Sequence, residues 1–489
     1  MLKLGRDARP LRHLSVAKIE GAVVEEIRAL LRQPAADLRS AFPHPPSIMA
    51  HVRSSSRNTT KYKEVDRREH RIDGGTPMND SDTGQAPPFC GLKVIDCASY
   101  IAGPAAATVL ADFGADIVKI EQPGEGDPYR ALTSMPGQPI SDHNYGWLMD
   151  ARNKRSLALD LKSDAGRDIL YRLVKTADVF ITNFPQPVRR RLGLGFEDLA
   201  KLNSRLIYAA LSAYGEAGEE AEKTGFDSTA YWARSGLMDV VRSDATAPPA
   251  RSIAGMGDHP TAMALYGAIV TALYRRERIG QGGFVASSLL ANGMWANSYL
   301  VQARLCGANL PPRPPRERSP NALANLYCCA DGRWFLLALL NEERQWPPLT
   351  VAIGRQAICD DPRFATRVAR RANAPALLAI LDAAFAERPL AAWRPILDSA
   401  GLTFGIVGTV DEAATDAQAL AVGVLRRFAD ADLLTVDSPL QIAGVAKIAP
   451  RSAPSVGGHS REILADAGFT ASEIEALRAA GTVDWPPDA

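Results

Sequence analysis

The chain has 489 residues and a mass of 52.6 kDa, enough for about three folding units at roughly 150 residues each. Lys and Arg number 56 against 55 Asp and Glu, so there is no basic surplus of the kind a nucleic-acid partner demands. The six cysteines (Cys90, Cys97, Cys306, Cys328, Cys329, Cys359) form no CxxC pair, and no apolar run reaches the roughly 18 residues of a membrane span. These features fit a water-soluble, cytoplasmic protein of enzyme size.

The balanced total hides a division, because residues 1–77 hold 15 Lys/Arg and 9 Asp/Glu and four of the seven histidines. Residues 14–33 show an amphipathic pattern (Val16, Ile19, Val23, Ile27, Leu30, Leu31). The charged and Ser/Pro-rich run after them offers too little apolar surface to offset the entropy of ordering. Residues 1–88 are therefore expected to be a disordered extension or to reflect a start assigned upstream of Met78.

From about residue 90 the pattern becomes that of an α/β domain. Leu92–Cys97 reads as a buried strand, Ala102–Phe113 as an Ala-rich helix ended by Gly114, and Asp116–Glu121 as a second strand. Strands are expected again at Asp178–Thr182, Leu206–Leu211 and Phe284–Ser287, with helices at Ala165–Lys175, Phe196–Leu202 and Pro260–Arg278. Alternation of this kind implies a doubly wound, Rossmann-like open parallel sheet, which binds ligands beyond the carboxyl ends of its strands. Three loops fall there: Ser99–Pro104, Gln122–Arg130, and Asn183–Pro185 leading into Arg189–Arg191. Glycines permit close backbone approach and arginines pair with phosphate, so an anionic, nucleotide-like ligand is expected. Gly124–Glu125–Gly126 is not a dinucleotide fingerprint, and phosphate-loop, GxSxG and HExxH motifs are absent. Cys328–Cys329 lacks metal-ligand spacing.

One carboxylate stands out. Asp258, between Gly257 and His259, is the only acid between Asp244 and Glu277 and opens an apolar helix. Aspartate is favoured as a helix N-cap and Pro260 suits the first turn. A helix N-terminus also favours the ionised carboxylate, a credible nucleophile toward a reactive carbonyl.

Further words recur in order: Gly91-Leu-Lys-Val-Ile-Asp96, Leu110-Ala-Asp-Phe-Gly-Ala-Asp-Ile-Val-Lys-Ile-Glu121, Gly126-Asp127, Asn153-Lys-Arg-Ser156, Leu159-Asp-Leu-Lys162, Asn183-Phe184, Gly225-Phe-Asp227, Gly257-Asp258, Asp331-Gly332, Asp361-Pro-Arg-Phe364 and Gly458-His-Ser460. From about Leu92 to Thr482 the chain resembles the class III coenzyme A transferases, the formyl-CoA and carnitine CoA-transferase family, which also contains the α-methylacyl-CoA racemases. The resemblance implies that Asp258 attacks an acyl-CoA thioester to form an acyl–aspartyl anhydride. CoA thiolate then converts it to an aspartyl-CoA thioester, and a carboxylic acid acceptor reverses the sequence. Coenzyme A is thus a substrate, and no tightly bound cofactor or metal is expected. The resemblance implies CoA contacts at Ser99, Ile101, Ala102, Gln122, Leu159, Lys162, Asn183, Phe184 and Arg191. Gln122 stands where the formyl enzyme has an arginine, and Ser99 and Ile101 where it has a histidine and a glutamine.

Racemases of this family place a histidine directly before the aspartate matched by Asp227. Phe226 holds that slot here and moves no proton, so transfer is favoured over racemisation. His259 is expected to point away from its neighbour Asp258. A CoA-binding protein without catalysis is the alternative from another class. The expected organisation is a large domain over 89–303, a Pro-rich linker over 304–320, a small α+β domain over 321–405 with a hairpin at Asp331–Gly332, and a return segment over 406–489. The resemblance further implies an interlocked homodimer. Trp232, Trp295, Tyr299, Tyr327 and Trp346 are candidates for an apolar acyl pocket or for the core.

Overall fold

The computed structural model describes residues 86–487, so the expectations for the leading segment lie outside the described residues. The first half alternates strand and helix: β1 (Lys93–Cys97), α1 (Ala102–Asp112), β2 (Asp116–Glu121), α2 (Tyr145–Asp150), β3 (Arg155–Leu159), α3 (Asp164–Val174), β4 (Val179–Thr182), β5 (Ile207–Ser212), α4 (Asp258–Ile279) and β6 (Gly283–Ser288). Six strands run parallel in the order 3-2-1-4-5-6, and β12 (Val483–Asp484) pairs antiparallel with the outer edge of β3. The doubly wound sheet expected from the alternation is borne out.

The strands read as near-continuous apolar runs because both faces are covered. Alternate residues feed two cores. Ile95, Val118, Leu157, Phe180 and Tyr208 point into one, which Ile463, Leu464 and Trp485 complete from near the end of the chain. Val94, Ile117, Val179, Ile181 and Ile207 point into the other, against α1 and α4. All eleven residues of α1 are buried, and its small side chains let it lie close on the sheet: a Cβ on Gly103 would stand 2.6 Å from Ala98 Cβ.

The smaller sheet is antiparallel, with β7 (Ala324–Cys328) and β8 (Trp334–Ala338) turning at Asp331–Gly332 and β9 (Phe404–Ile406) beside β8. Gly332 adopts φ 74°, the left-handed conformation this hairpin needs. Its core joins Tyr327, Phe335, Phe385 and Trp393, whose neighbouring ring centroids lie 4.9–5.9 Å apart. A two-stranded hairpin, β10 (Leu425–Arg427) and β11 (Leu434–Val436), follows.

Two charged words of the sequence prove to be buried fasteners of the large sheet. Lys154 Nζ lies 2.9 Å from Asp96 Oδ2 with both side chains fully buried, and Lys119 Nζ lies 2.8 Å from Asp127 Oδ2. Arg152 pairs with Asp112 at 2.7 Å and Arg130 with Glu121 at 2.7 Å.

Candidate active site

Strand order reverses between β1 and β4, and the loops after them meet at that switch point. Asn183 Oδ1 accepts from the Ser99 amide at 2.8 Å, and its Nδ2 donates to the Ser99 carbonyl at 2.7 Å. The loop after β2 joins them, because Asp127 Oδ1 accepts from the Tyr100 amide at 3.1 Å. That bond helps hold Tyr100 at φ 65°, a strained backbone for a bulky residue. The three glycine- and proline-bearing loops therefore share one edge, as expected.

Asp258 lies beside this edge at the first position of α4. Gly257 is the N-cap, and the Asp258 side chain makes no capping bond, which corrects the N-cap expectation. The reason is tertiary. Asp227, only 5% exposed, accepts through Oδ2 from the amides of Gly255 (3.1 Å) and Gly257 (3.2 Å) and so clamps the loop ahead of the helix. A Cβ on Gly257 would lie 2.7 Å from Tyr231 Cγ and 3.0 Å from Asp227 Cβ, so only glycine passes here. Asp227 itself opens a π-helical turn, Asp227–Ala233. Turns of that kind frequently mark functional sites.

The charge state of Asp258 also differs from expectation. Burial, then the Asp227 carboxylate, with a smaller push from Asp150, raise its pKa to about 7, against the opposing pull of His259. The helix dipole, which favours the anion, is outweighed by desolvation and by neighbouring acids. His259 does not simply turn away. Its Nε2 lies 3.1 Å from Asp150 Oδ1 and its Nδ1 lies 3.0 Å from the Gly255 carbonyl oxygen. Both partners accept, so only the doubly protonated ring donates to each. Burial works against that charge, but the hydrogen bond and charge of Asp150 outweigh it and hold the imidazole above its ordinary value. Asp150, 3% exposed, is itself fixed by Tyr129, whose hydroxyl donates to Oδ2 at 2.8 Å. A Tyr129–Asp150–His259 chain thus reaches the residue beside Asp258.

Of the remaining positions implied for CoA, Ile101 and Ala102 are buried at the start of α1, and Phe184 is half-buried against the large core. Leu159 is 1% exposed within that core, so it offers a ligand its backbone and not its side chain. Gln122, Lys162 and Arg191 have exposed side chains at the rim. In the arginine run the buried member is Arg189, which pairs with Glu216 at 2.7 Å. Phe226 is 60% exposed and meets Tyr100 edge-on at 5.8 Å.

A cavity of about 450 Å³ is lined by Ile101, Tyr129, Gly255 and His259, the last adjacent in the chain to Asp258, which does not itself line it. Phe428, Leu434 and Val436 of the β10–β11 hairpin form the facing wall. None of the five candidate aromatics lines it. Tyr327 and Trp346 are buried in the small core, whereas Trp295 and Tyr299 are 79% and 85% exposed. Asp150, Tyr129 and the clamping role of Asp227 carry no local sequence signal, the only pointer being the Gly225-Phe-Asp227 motif. Among the described residues, no group of His, Cys, Asp and Glu has metal-binding geometry, and no helix is long and apolar enough to cross a membrane.

Residues 89–460 match the family described as CoA-transferase family III. The chain belongs to that family. It is 31% identical over 390 residues to (R)-2-hydroxy-4-methylpentanoate CoA-transferase of Clostridioides difficile, covering 78% of this chain and 96% of that protein. It is 33% identical over 361 residues to acetyl-CoA:oxalate CoA-transferase of Acetobacter aceti, covering 73% and 90% respectively. The crystal structure of a CAIB/BAIF family protein from Brucella suis superposes with a TM-score of 0.71 at 28% identity, covering 78% of this chain and all of that one. The protein is accordingly a class III CoA-transferase, which moves coenzyme A between acyl-CoA and carboxylate.

Proposed function

We propose that Asp258 is the nucleophile of this transfer. One of its carboxylate oxygens attacks the thioester carbonyl of the acyl-CoA donor, the C–S bond breaks, and CoA leaves as thiolate. The resulting anhydride keeps the reactivity of the thioester, so neither ATP nor a metal is needed. The thiolate then attacks the aspartyl carbonyl, releasing the donor acid and leaving an aspartyl-CoA thioester. The acceptor carboxylate attacks that thioester, the C–S bond breaks to expel CoA thiolate and a new mixed anhydride forms; the thiolate then attacks its acyl carbonyl, giving the new acyl-CoA and freeing the Asp258 carboxylate.

The observation that carries this reading is the setting of Asp258: at a helix start, on a loop clamped by Asp227, beside the loops that meet at the strand-order switch. In this reading His259 supports the anion, and Asp227 holds Gly257 so that the carboxyl cannot drift. A poised nucleophile loses much of its rate when displaced by an ångström. CoA lies along Ser99, Ile101, Ala102 and the Asn183–Phe184 turn, with Gln122, Lys162 and Arg191 at the phosphate-bearing rim and the Leu159 backbone beneath. CoA comes and goes as a substrate, no cofactor is retained, and the enzyme works in the cytoplasm as an interlocked homodimer. Sedimentation or light scattering tests the dimer.

The mechanism is tested by incubation with labelled acyl-CoA, trapping with hydroxylamine or borohydride, and peptide mapping. Modification confined to Asp258 is expected. Exchange of deuterium at the substrate α-carbon without CoA exchange between acids would instead assign racemisation.

A further inference from the structure

The cavity beside His259 has a composition that selects among acids. Of the positions implied for CoA only Ile101 lines it, whereas Gly255 and His259, on the two sides of Asp258 in the chain, both do. Its walls carry Leu132, Leu148, Met149, Phe428, Leu434 and Val436, and its polar members are hydroxyl, amide and imidazole groups such as Thr133, Gln138 and His143. No lysine or arginine is among the lining residues.

The surrounding charges point the same way. Asp150 and Asp227 stand near the nucleophile as buried acids, and the imidazole of His259 is already held by Asp150. The buried cations around it are engaged: Arg152, which donates to the carbonyls of the lining residues Met149 and Val436, pairs with Asp112, Lys119 pairs with Asp127, and Lys154 with Asp96. A second carboxylate carried into this cavity would meet acids and apolar side chains, with no lysine or arginine among the described residues that line it, and an unpaired buried charge is strongly disfavoured. An apolar chain would instead gain from burial against the leucines and Phe428. At about 450 Å³ the space lies in the usual range of small-ligand pockets and exceeds what formate or oxalate would fill.

We infer that the enzyme's carboxylic acid substrates are apolar monocarboxylates with branched or aromatic side chains, seated between Tyr129–His259 and the β10–β11 hairpin, and that dicarboxylates are excluded. This inference rests on the transferase reading above.

The test uses the full chain and compares kcat/KM for acceptor acids with one acyl-CoA donor. The apolar acids are 4-methylpentanoate and 3-phenylpropionate; the diacids are succinate and glutarate. The apolar acids should be preferred by on the order of 100-fold, as a buried unpaired charge implies. Leu434→Arg, on a half-exposed strand position, places a cation in the facing wall. It should narrow the ratio by raising kcat/KM for glutarate while that for 4-methylpentanoate falls. Equal or better use of succinate or glutarate by the unaltered enzyme overturns the inference and leaves the role of Asp258 intact. CoA exchange with none of the acids, together with no adduct on Asp258, overturns the mechanism and this inference with it.

Discussion

Replacing Asp258 with asparagine removes the proposed nucleophile and also a carboxyl that ionises at a cost to folding. The group titrates near 7 in the folded chain against an ordinary 3.8, a gap of about 3 units. At 1.36 kcal/mol per unit the ceiling on the effect is about 4 kcal/mol. The sign follows from proton uptake. Between 3.8 and 7 the unfolded chain has released this proton while the folded chain holds it, so native stability falls as pH rises through that window. Above pH 7 the loss is complete. Asp258→Asn does not titrate, and its stability relative to the unaltered protein should improve by about 2.6 kcal/mol between pH 5 and pH 8. Urea unfolding followed by tryptophan fluorescence at several pH values measures this, while the same variant should show no CoA transfer. A stability difference that stays constant or shrinks toward pH 8 refutes the account of a desolvated carboxyl pressed by Asp227 and Asp150.

His259→Gln removes a charged neighbour that favours the Asp258 anion. The acid limb of the kcat/KM profile should move to higher pH by about one unit, with most of the loss recovered at pH 9; an unmoved limb would show that the imidazole has no bearing on the nucleophile. Gly257→Ala forces a Cβ to within 2.7 Å of Tyr231, so kcat should drop by about 100-fold. Hydroxylamine-trapped adduct on Asp258 should fall with it, and unchanged turnover would remove the case for a rigid loop. Lys154→Met leaves Asp96 buried without its partner and should destabilise the protein by roughly 3–5 kcal/mol in urea titrations. A shift below about 1 kcal/mol would mean that the pair is replaceable.

The elements that periodicity revealed were those with local signatures: the Ala-rich α1, the apolar strands β1, β2 and β4, and the Asp331–Gly332 turn. β3 was not read as a strand because its approach, Asn153-Lys-Arg-Ser156, looks like surface. In the fold Lys154 is buried against Asp96 and Arg155 forks onto Asp116, partners supplied by strands or a strand start distant in sequence. β12 is only two residues long and carries no periodic signal. The same limit applied at the site. Local rules place Asp258 as an N-cap with a lowered proton affinity, whereas Gly257 takes the cap and the affinity is raised. Asp227 draws Gly257 into the cap position, and with Asp150 and burial it raises the proton affinity of Asp258. Tyr129–Asp150–His259 joins three segments that no spacing rule connects.

The antiparallel pairing of Val483–Asp484 with β3 has a consequence for synthesis. Some 320 residues separate the two partners, which at 5–20 residues per second is roughly 15–65 s of translation. Throughout that interval the outer rim of β3 carries open amides and carbonyls, a template for pairing with another nascent chain. Ribosome-proximal chaperones would have their longest task at this rim, and slowing elongation downstream of residue 212, once β5 has emerged, should lower the yield of native enzyme.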